Sequence, residues 1–219
     1  MCVVSGLHHN NFKTQLHLGE VAFFYLTIIN LYIREMKTNK SHLFKSDRLG
    51  FRNWESSDIG PMSEINADEK VMEFFSRTQT KEQTIEFIER MQKQFSEKGY
   101  CYFAVDKLDN NELIGFIGIN LQTFESDFTP CIDIGWRLKS SEWNKGYATE
   151  GAKRCLEYAS KGLGIKKVFS ITPMINLKSE KIMLNIGMNK VKHFIFPLLK
   201  DDVRLKECVL YEIDLLPSA

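Results

Sequence analysis

A short polar loop joins an apolar run to an amphipathic stretch, and this junction constrains the fold more than any other feature of the sequence. The apolar run ends at Leu138, and the amphipathic stretch continues to about Lys161. A strand that turns through a glycine into a helix presents unpaired backbone N–H groups and the positive end of the helix dipole, which favours a bound anion. The junction therefore predicts a helix packed on a sheet, with a phosphate-bearing ligand at the loop. The loop consists of Asn144, Lys145, Gly146, Tyr147, Ala148 and Thr149.

Two familiar phosphate-binding motifs do not match this loop. A nucleotide P-loop ends in Gly-Lys followed by Ser or Thr, whereas here Lys145 precedes Gly146 and Tyr147 follows it. A dinucleotide-binding fingerprint requires three glycines in fixed spacing, and this region lacks that triplet. A plain glycine turn that enters a helix without any ligand is the alternative that the loop alone leaves open.

Length and composition limit the classes of function. The 219 residues suit one domain with an extension better than two domains. The net charge of +1 gives no reason to expect nucleic acid or an anionic membrane as a partner. Five scattered cysteines without a CxxC pair are typical of a reducing compartment, so we expect a cytoplasmic protein without a disulfide framework. We also expect no metal ion, and either a monomer or a homodimer.

Residues 1–42 differ from the rest of the chain. Residues 21–33 are almost continuously apolar and are followed by Arg34 and Glu35. This stretch is shorter than the roughly twenty residues that a helix needs to cross a bilayer, and no signal-peptide cleavage site follows it. We expect an N-terminal extension without stable membrane insertion: a helix on the core, a helix on a membrane surface, or a dispensable segment. The compact domain is expected over residues 43–219.

From residue 47 onward, strand and helix patterns follow one another regularly. A long amphipathic helix is predicted from Thr80 to Lys98, with its inward side chains at Ile85, Ile88, Met91 and Phe95. Two short helices are predicted before it, one after the loop, and one over residues 176–185. The whole pattern predicts an α/β (α+β) fold with a mixed, mostly antiparallel central sheet of about seven strands flanked by helices. The strand-like stretches are 48–54, 100–106, 113–120, 131–138, 167–172, 191–196 and 207–214.

Several motifs occur in one order along the chain. Residues 143–151 read WNKGYATEG, and Asn176, Ser179, Gly187 and Met188 form an Asn-x-x-Ser and a closing Gly-Met pattern. Residues 47–49, 68–75 and 128–138 read DRL, DEKVMEFF and FTPCIDIGWRL. Together these motifs resemble the GNAT superfamily of acetyl-CoA-dependent N-acetyltransferases, and most of all its RimJ and RimL branch. The resemblance covers residues 45–214.

The resemblance implies acetyl-CoA as co-substrate and a primary amine as acceptor, on a protein N-terminus or a small molecule. It implies that the diphosphate of coenzyme A lies on the loop from Asn144 to Thr149. The pantetheine arm would follow the preceding strand, where Trp136, Arg137 and Leu138 offer backbone groups. Asn176 and Ser179 would meet that arm from the other side. A helix cap formed by Asn176, and a first-turn serine without ligand contact, are the alternatives.

Asp133 is the candidate catalytic residue, because acetyl transfer to an amine requires a base. An α-amine has a pKa of about 8 and a lysine amine of about 10.4, so both are mostly protonated at neutral pH. Related chains carry glutamate at this position. Strand alternation places Gly135 and Arg137 on the same face as Asp133, and Gly135 is expected to leave room for the substrate. An ion pair between Asp133 and Arg137 is the structural alternative.

Some residues depart from the family pattern. Many members carry a tyrosine at the position of Met183, which cannot donate a proton, so the general acid is unassigned. This departure makes a non-catalytic acyl-CoA-binding module the alternative function. No cysteine has a visible partner that would lower its pKa, so a nucleophilic cysteine is not expected. Four aromatic residues are expected in the core rather than in an acceptor pocket: Phe74, Phe75, Phe124 and Phe128.

Overall fold

The computed structural model describes Tyr25 and residues 41–215. Most of the predicted extension at residues 1–42, including the apolar stretch 21–33 apart from Tyr25, lies outside the described residues. The chain divides after Ser41 into two units, and the second begins at His42. Within the described part of the chain, no helix combines the length and the apolar content that a membrane span requires.

The described residues form one sheet of eight strands. Its spatial order is β1-β2-β3-β4-β5-β6-β8-β7, and all neighbours are antiparallel except β5 and β6. The predicted mixed, mostly antiparallel sheet is confirmed, and β1 is the additional strand, since two residues are too few to show alternation. The strands are β1 (Phe44–Lys45), β2 (Leu49–Arg52), β3 (Tyr102–Lys107), β4 (Leu113–Gln122), β5 (Cys131–Leu138), β6 (Lys167–Pro173), β7 (Asn189–Ile195) and β8 (Glu207–Asp214).

The helices of the second unit are α1 (Ile59–Ala67), α2 (Lys81–Lys98), α3 (Tyr147–Leu163) and α4 (Leu177–Asn185). The bounds of α2 match the prediction, because Thr80 Oγ1 accepts a hydrogen bond from Gln83 N at 3.2 Å and Gly99 ends the helix at φ 75°. Its inward face is shifted from the prediction, since Ile85 and Phe95 are only partly buried. The buried side chains are Thr84, Phe87, Ile88 and Met91.

The second of the two short helices predicted before α2 does not form. The chain turns instead over residues 69–75. Asp68 ends α1, because its Oδ1 accepts a hydrogen bond from Lys70 N at 2.9 Å and its Oδ2 accepts one from Ser140 Oγ at 2.6 Å. An aspartate that bonds the backbone two residues ahead competes with helix continuation.

The helices pack on the two faces of the sheet. On one face, Phe87 of α2 contacts Phe116 of β4 with ring centroids 5.4 Å apart. On the other face, α3 lies so close that a Cβ at Gly151 would be 2.4 Å from Ile117 Cδ1. Neighbouring residues of a strand point to opposite faces, so Phe116 and Ile117 define the α2 face and the α3 face. Asp133, Gly135 and Arg137 lie on the α2 face, because the antiparallel register pairs Arg137 with Phe116.

Gly118 lies where β3 and β4 approach too closely for a side chain. A Cβ at Gly118 would lie 2.2 Å from the carbonyl oxygen of Cys101 and 2.7 Å from the backbone nitrogen of Phe103. We predict that Gly118→Ala lowers the free energy of unfolding by about 2–3 kcal/mol, because the backbone of a central strand has to move. Denaturant-induced unfolding measures this change.

Gly60→Ala is the matched control for this prediction. Nothing lies within 4 Å of a Cβ at Gly60, which belongs to α1. Alanine favours a helix over glycine by up to about 1 kcal/mol, so this variant should be neutral or slightly more stable. Equal stabilities of the two variants would contradict the close approach at Gly118.

Candidate active site

The sheet opens where β5 parts from β6. These parallel strands share a single register pair, Asp133 with Phe169, although β5 continues to Leu138 and β6 to Pro173. On its other edge β5 pairs with β4 along its whole length, beginning at Cys131. The two strands therefore diverge toward their carboxyl ends. We name the space between them the β5–β6 gap.

Alternate residues of β5 direct their backbone groups into the β5–β6 gap. Lys139 N donates to the carbonyl oxygen of Ile114 at 2.9 Å, which fixes the phase of the β4–β5 ladder. Odd-numbered residues of β5 therefore pair toward β4, and even-numbered ones face the gap. Trp136 and Leu138 thus direct their backbone groups into the gap. The expectation that Arg137 offers backbone groups to a ligand there is wrong, because its groups belong to the β4 ladder.

Two side chains satisfy carbonyl groups along the gap. Ser170 Oγ donates to the carbonyl oxygen of Ile134 at 2.9 Å. Trp143 Nε1 donates to the carbonyl oxygen of Leu138 at 2.8 Å. Both backbone groups of Trp136 and the N–H of Leu138 also point into the gap. An extended chain lying in the gap can bond these groups as an added strand does.

The predicted loop lies directly beyond β5 and ends in the N-terminus of α3. Asn144 and Gly146 adopt positive φ angles of 62° and 83°. The N-cap is Gly146, and no side chain caps the helix there. The first backbone hydrogen bond of the helix runs from Glu150 N to the carbonyl oxygen of Gly146, at 3.0 Å. The N–H groups before it point away from the helix, the arrangement that binds anions. They belong to Tyr147, Ala148 and Thr149.

Arg48 braces this loop, a role that the sequence did not reveal. Its Nε donates to Glu150 Oε2 at 2.7 Å, and its Nη1 donates to the carbonyl oxygen of Lys145 at 3.0 Å. Its guanidinium carbon lies 4.5 Å from the centroid of the Tyr147 ring. The side chain of Lys145 pairs with Glu142 at 3.1 Å. These contacts hold the loop in its bent form.

Asp133 lies at the point where the gap begins, and it is only 7% exposed. Tyr102 Oη donates a hydrogen bond to its carboxylate and lies 2.9 and 2.8 Å from the two oxygens. Gln122 Nε2 donates to Tyr102 Oη at 3.2 Å. Burial raises the pKa of Asp133 to about 7, and the hydrogen bond from Tyr102 opposes this rise. A carboxylate with such a pKa exchanges protons near neutral pH, as a general base does.

The expectation that Gly135 leaves room for a substrate is wrong. A Cβ at Gly135 would lie 3.1 Å from Cε1 and 3.2 Å from Oη of Tyr102. The Tyr102 ring therefore occupies the space above Gly135 and reaches Asp133 from there. The sequence does not reveal Tyr102 as a site residue. Its position depends on the strand register, in which Gly118 pairs with Tyr102 on one side and with Gly135 on the other.

The alternative ion pair between Asp133 and Arg137 does not form. Arg137 Nη1 donates instead to Asn66 Oδ1 at 2.6 Å, at the end of α1. Asp133 accepts a hydrogen bond from Tyr102, and its negative charge has no counter-ion among the ion pairs of the described residues.

Asn176 and Ser179 lie at the start of α4, which follows β6 on the other side of the gap. Asn176 Oδ1 accepts a hydrogen bond from Ser179 N at 3.2 Å, so Asn176 caps the helix. Met183 is fully buried in the core. A methionine thioether carries no proton that it could donate. Position 183, which often holds a tyrosine in the family that this chain resembles, therefore supplies no general acid here.

None of the four aromatic residues that were expected in the core lies there. Phe74 is partly buried and Phe75 is 38% exposed. Phe124 and Phe128 belong to a separate cluster whose ring centroids lie 4.9 to 6.2 Å apart. Phe169 connects this cluster to the site, since it pairs with Asp133. The remaining members are Phe194 and Phe196.

Burial makes the four described cysteines poor nucleophiles. It raises the pKa of Cys131 to about 11 and that of Cys208 to about 12. It also raises the pKa of the Cys101 and Cys155 thiols well above the usual value. Protonated thiols do not attack a thioester effectively.

No group of three His, Cys, Asp or Glu side chains suited to a metal ion occurs in the described part of the chain.

Comparison with known proteins gives a consistent result. Residues 48–189 match the family model of the acetyltransferase (GNAT) domain. The uncharacterized N-acetyltransferase YnaD of Bacillus subtilis (strain 168) is 29% identical over 148 residues, which span 67% of this chain and 82% of the relative. The fold matches the acetyltransferase (GNAT family) from Bacillus anthracis with a TM-score of 0.65 at 24% identity, over 78% of this chain and 96% of that chain. It also matches spermidine N-acetyltransferase from Vibrio cholerae in complex with CoA and spermine, with a TM-score of 0.60 at 17% identity, over 76% and 95% of the two chains.

Removing the Tyr102 hydroxyl should raise the pKa of Asp133 above its value of about 7. The hydrogen bond that Tyr102 donates stabilises the ionised carboxylate, so its loss in Tyr102→Phe favours the protonated form. Carbon-13 NMR of the aspartate carboxyl groups across a pH titration measures this pKa. Tyr100→Phe, which removes a hydroxyl not bonded to Asp133, should leave it unchanged. A lower pKa in Tyr102→Phe would contradict the assigned hydrogen bond.

Proposed function

The chain belongs to the acetyltransferase (GNAT) family, and from this premise we propose that it transfers the acetyl group of acetyl-CoA to a primary amine. The observation that carries the proposal is the succession of three features along one strand. Asp133 lies where the β5–β6 gap begins, Trp136 and Leu138 direct backbone groups into the gap, and the α3 N-terminus lies beyond it. A base, an extended binding edge and an anion site are what this reaction requires.

The donor sets of the site fit the chemical groups of acetyl-CoA. The exposed N–H groups at the start of α3 suit the diphosphate, because they lie at the positive end of the helix dipole and no side chain caps them. The amide groups of the pantetheine arm suit the free backbone groups of Trp136 and Leu138. Asn176 and Ser179 face the arm from the β6 side. Acetyl-CoA supplies the thioester whose carbonyl carbon the amine attacks.

Asp133 removes the proton from the attacking amine. The new C–N bond forms as the C–S bond breaks, and the electron pair of that bond leaves on the sulfur. Near pH 7 about half of the Asp133 carboxyl groups are ionised, because burial raises their pKa to about 7. Tyr102 is a positioning residue, since its hydroxyl holds the carboxylate in place.

Asp133 also returns the proton to the leaving sulfur. Once protonated, it is an acid with a pKa of about 7, whereas a thiol has a pKa of about 8.5. Transfer to the thiolate is therefore favourable. A tyrosine at position 183 is not required on this route, which accounts for the buried Met183.

Several finer assignments belong to the same proposal. The motif likeness supports membership of the RimJ and RimL branch, with a protein N-terminus or a small molecule as the amine acceptor. Residues 43–219 form the catalytic domain, and residues 1–42 are an extension to it. The cysteine usage supports a cytoplasmic location.

A non-catalytic acyl-CoA-binding module is the second candidate function. Met183 favours it, because a fully buried methionine stands where many family members carry the proton donor. Such a module would bind acetyl-CoA and release no thiol in the presence of any amine. A screen of amines, read by thiol release and by the mass of one added acetyl group, separates the two functions.

Asp133→Asn should lower kcat by about 10²- to 10⁴-fold, because the amide cannot accept the amine proton. Burial places the pKa of Asp133 at about 7. Activity of the unaltered protein should therefore fall as the pH drops through about 7, where the base becomes protonated. The residual activity of Asp133→Asn should lack this inflection. Steady-state kinetics over roughly pH 5.5 to 9, a window that brackets this pKa, measure both effects.

Asp127→Asn is the matched control, since it removes an exposed carboxylate that pairs with Lys192 on the surface. We expect its kcat to stay within about twofold of the unaltered value. Affinity for acetyl-CoA should be similar in both variants, because neither side chain belongs to the diphosphate site. Full activity of Asp133→Asn would remove Asp133 from the mechanism.

A further inference from the structure

Arg137 is a buried cation without an acidic partner among the described residues. It is only 8% exposed, and within the same part of the chain its Nε has no hydrogen-bond partner. Nη1 bonds two neutral amides, Asn66 Oδ1 at 2.6 Å and Gln79 Oε1 at 3.5 Å. Burial lowers the pKa of Arg137 to about 10. A buried charge is costly unless an opposite charge or a full set of hydrogen bonds compensates it.

Arg52 shows how the same fold compensates another buried guanidinium. Arg52 is 3% exposed, and it bonds two carboxylates. It donates to both oxygens of Asp58, at 2.7 and 2.8 Å, and to both oxygens of Asp106, at 2.7 and 2.9 Å. Burial alone would lower the pKa of Arg52, but these hydrogen bonds raise it above the usual value. The two arginines are similarly buried, and only Arg52 has its negative charges within the described chain.

The guanidinium of Arg137 contacts two aromatic rings, one buried and one exposed. Its Cζ is 5.3 Å from the ring centroid of Phe116, in the core, and 4.1 Å from that of Phe75. Phe75 is 38% exposed and belongs to the turn segment between α1 and α2. Phe75 is therefore the more exposed of the two rings that the guanidinium contacts.

Arg137 shares the α2 face with the catalytic carboxylate. It lies four residues further along β5 than Asp133, which places their Cα atoms about 13 Å apart. The stacked rings of Tyr102 and Phe116, with centroids 5.0 Å apart, lie between them. The N-terminus of α3 belongs to the opposite face of the sheet. The diphosphate of coenzyme A is therefore not the anion that Arg137 lacks.

We propose that Arg137 binds a carboxylate carried by the acceptor, so that the acceptors are amines with a carboxylate several bonds away. This inference rests on the proposed function. A carboxylate accepts two parallel hydrogen bonds from a guanidinium, which matches the free Nε and its neighbouring amino group. The amine end then lies at Asp133 and the carboxylate end at Arg137, and the acceptor passes over the exposed edge of the Tyr102 ring, which is only partly buried. Short peptides and ω-amino acids have the required length, whereas the two groups of an α-amino acid are too close together.

Matched acceptors test this inference. The first pair is triglycine and triglycine amide, and the second is 6-aminohexanoate and 6-aminohexanamide. At saturating acetyl-CoA, kcat/KM of the unaltered protein should be at least about tenfold higher for the acid of each pair. In Arg137→Gln this ratio should fall to about one, and in Arg137→Lys it should take an intermediate value, because lysine keeps the charge and loses the fork.

Lys139→Gln is the control variant. It removes a positive charge two residues further along the chain, where Lys139 Nζ bonds Glu112 at 2.9 Å. Its acid-to-amide ratio should equal that of the unaltered protein. Thermal unfolding of each variant shows whether it folds, and the ratio in the unaltered protein decides the question even if Arg137→Gln does not fold.

The outcomes distinguish failure of this inference from failure of the proposed function. Acetylation of amides and acids at equal kcat/KM by the unaltered protein would overturn the role of Arg137 and leave the N-acetyltransferase assignment standing. An unchanged preference in Arg137→Gln would also overturn it. Acetyl-CoA binding without acetylation of any amine would count against the proposed function itself, and this inference would fall with it.

Discussion

The parting of β5 and β6 after one register pair determines where the other parts of the site lie. A continuous parallel ladder would bond the backbone groups of Trp136 and Leu138 and close the sheet. Ser170 and Trp143 instead bond two of the carbonyl groups along β5, which stabilises the open arrangement. Because the ladder stops at Asp133, the buried carboxylate lies at the closed end of the gap. The loop that follows β5 then brings the α3 N-terminus to its open end.

The sequence predicted the parts of this arrangement that depend on local pattern. The bounds of β5 and β8 match the alternation of their residues, and α2 begins and ends at its caps. The strand, the glycine turn and the helix around Gly146 are also local, since each residue type acts on its own backbone. Asp133 was a candidate base from its strand position and the family resemblance, and its catalytic role stays a prediction.

Long-range register decided what the sequence could not reveal. Tyr102 reaches Asp133 only because β3, β4 and β5 pair in one register, and that register places its ring over Gly135. Arg48 braces Glu150 across 102 positions of sequence. Phe124 is of a residue type that is common in cores, but it lies in a separate aromatic cluster. The local pattern of residues along one strand carries no information about which strands pair or in which register. Once the β4–β5 register is known, it follows that the backbone groups of Arg137 point toward β4 and away from the gap.

Amide hydrogen exchange, resolved by NMR with and without saturating acetyl-CoA, tests the central claim most directly. The claim is that the ligand lies in the β5–β6 gap with its diphosphate on the α3 N-terminus. Exchange should slow at the amides of Trp136, Leu138 and residues 147–149, which face the gap or precede the helical bonds. The amides of Gly135 and Arg137 are already bonded to β4 and should change little. Unchanged exchange at Trp136, Leu138 and residues 147–149 while acetyl-CoA is bound would contradict the account.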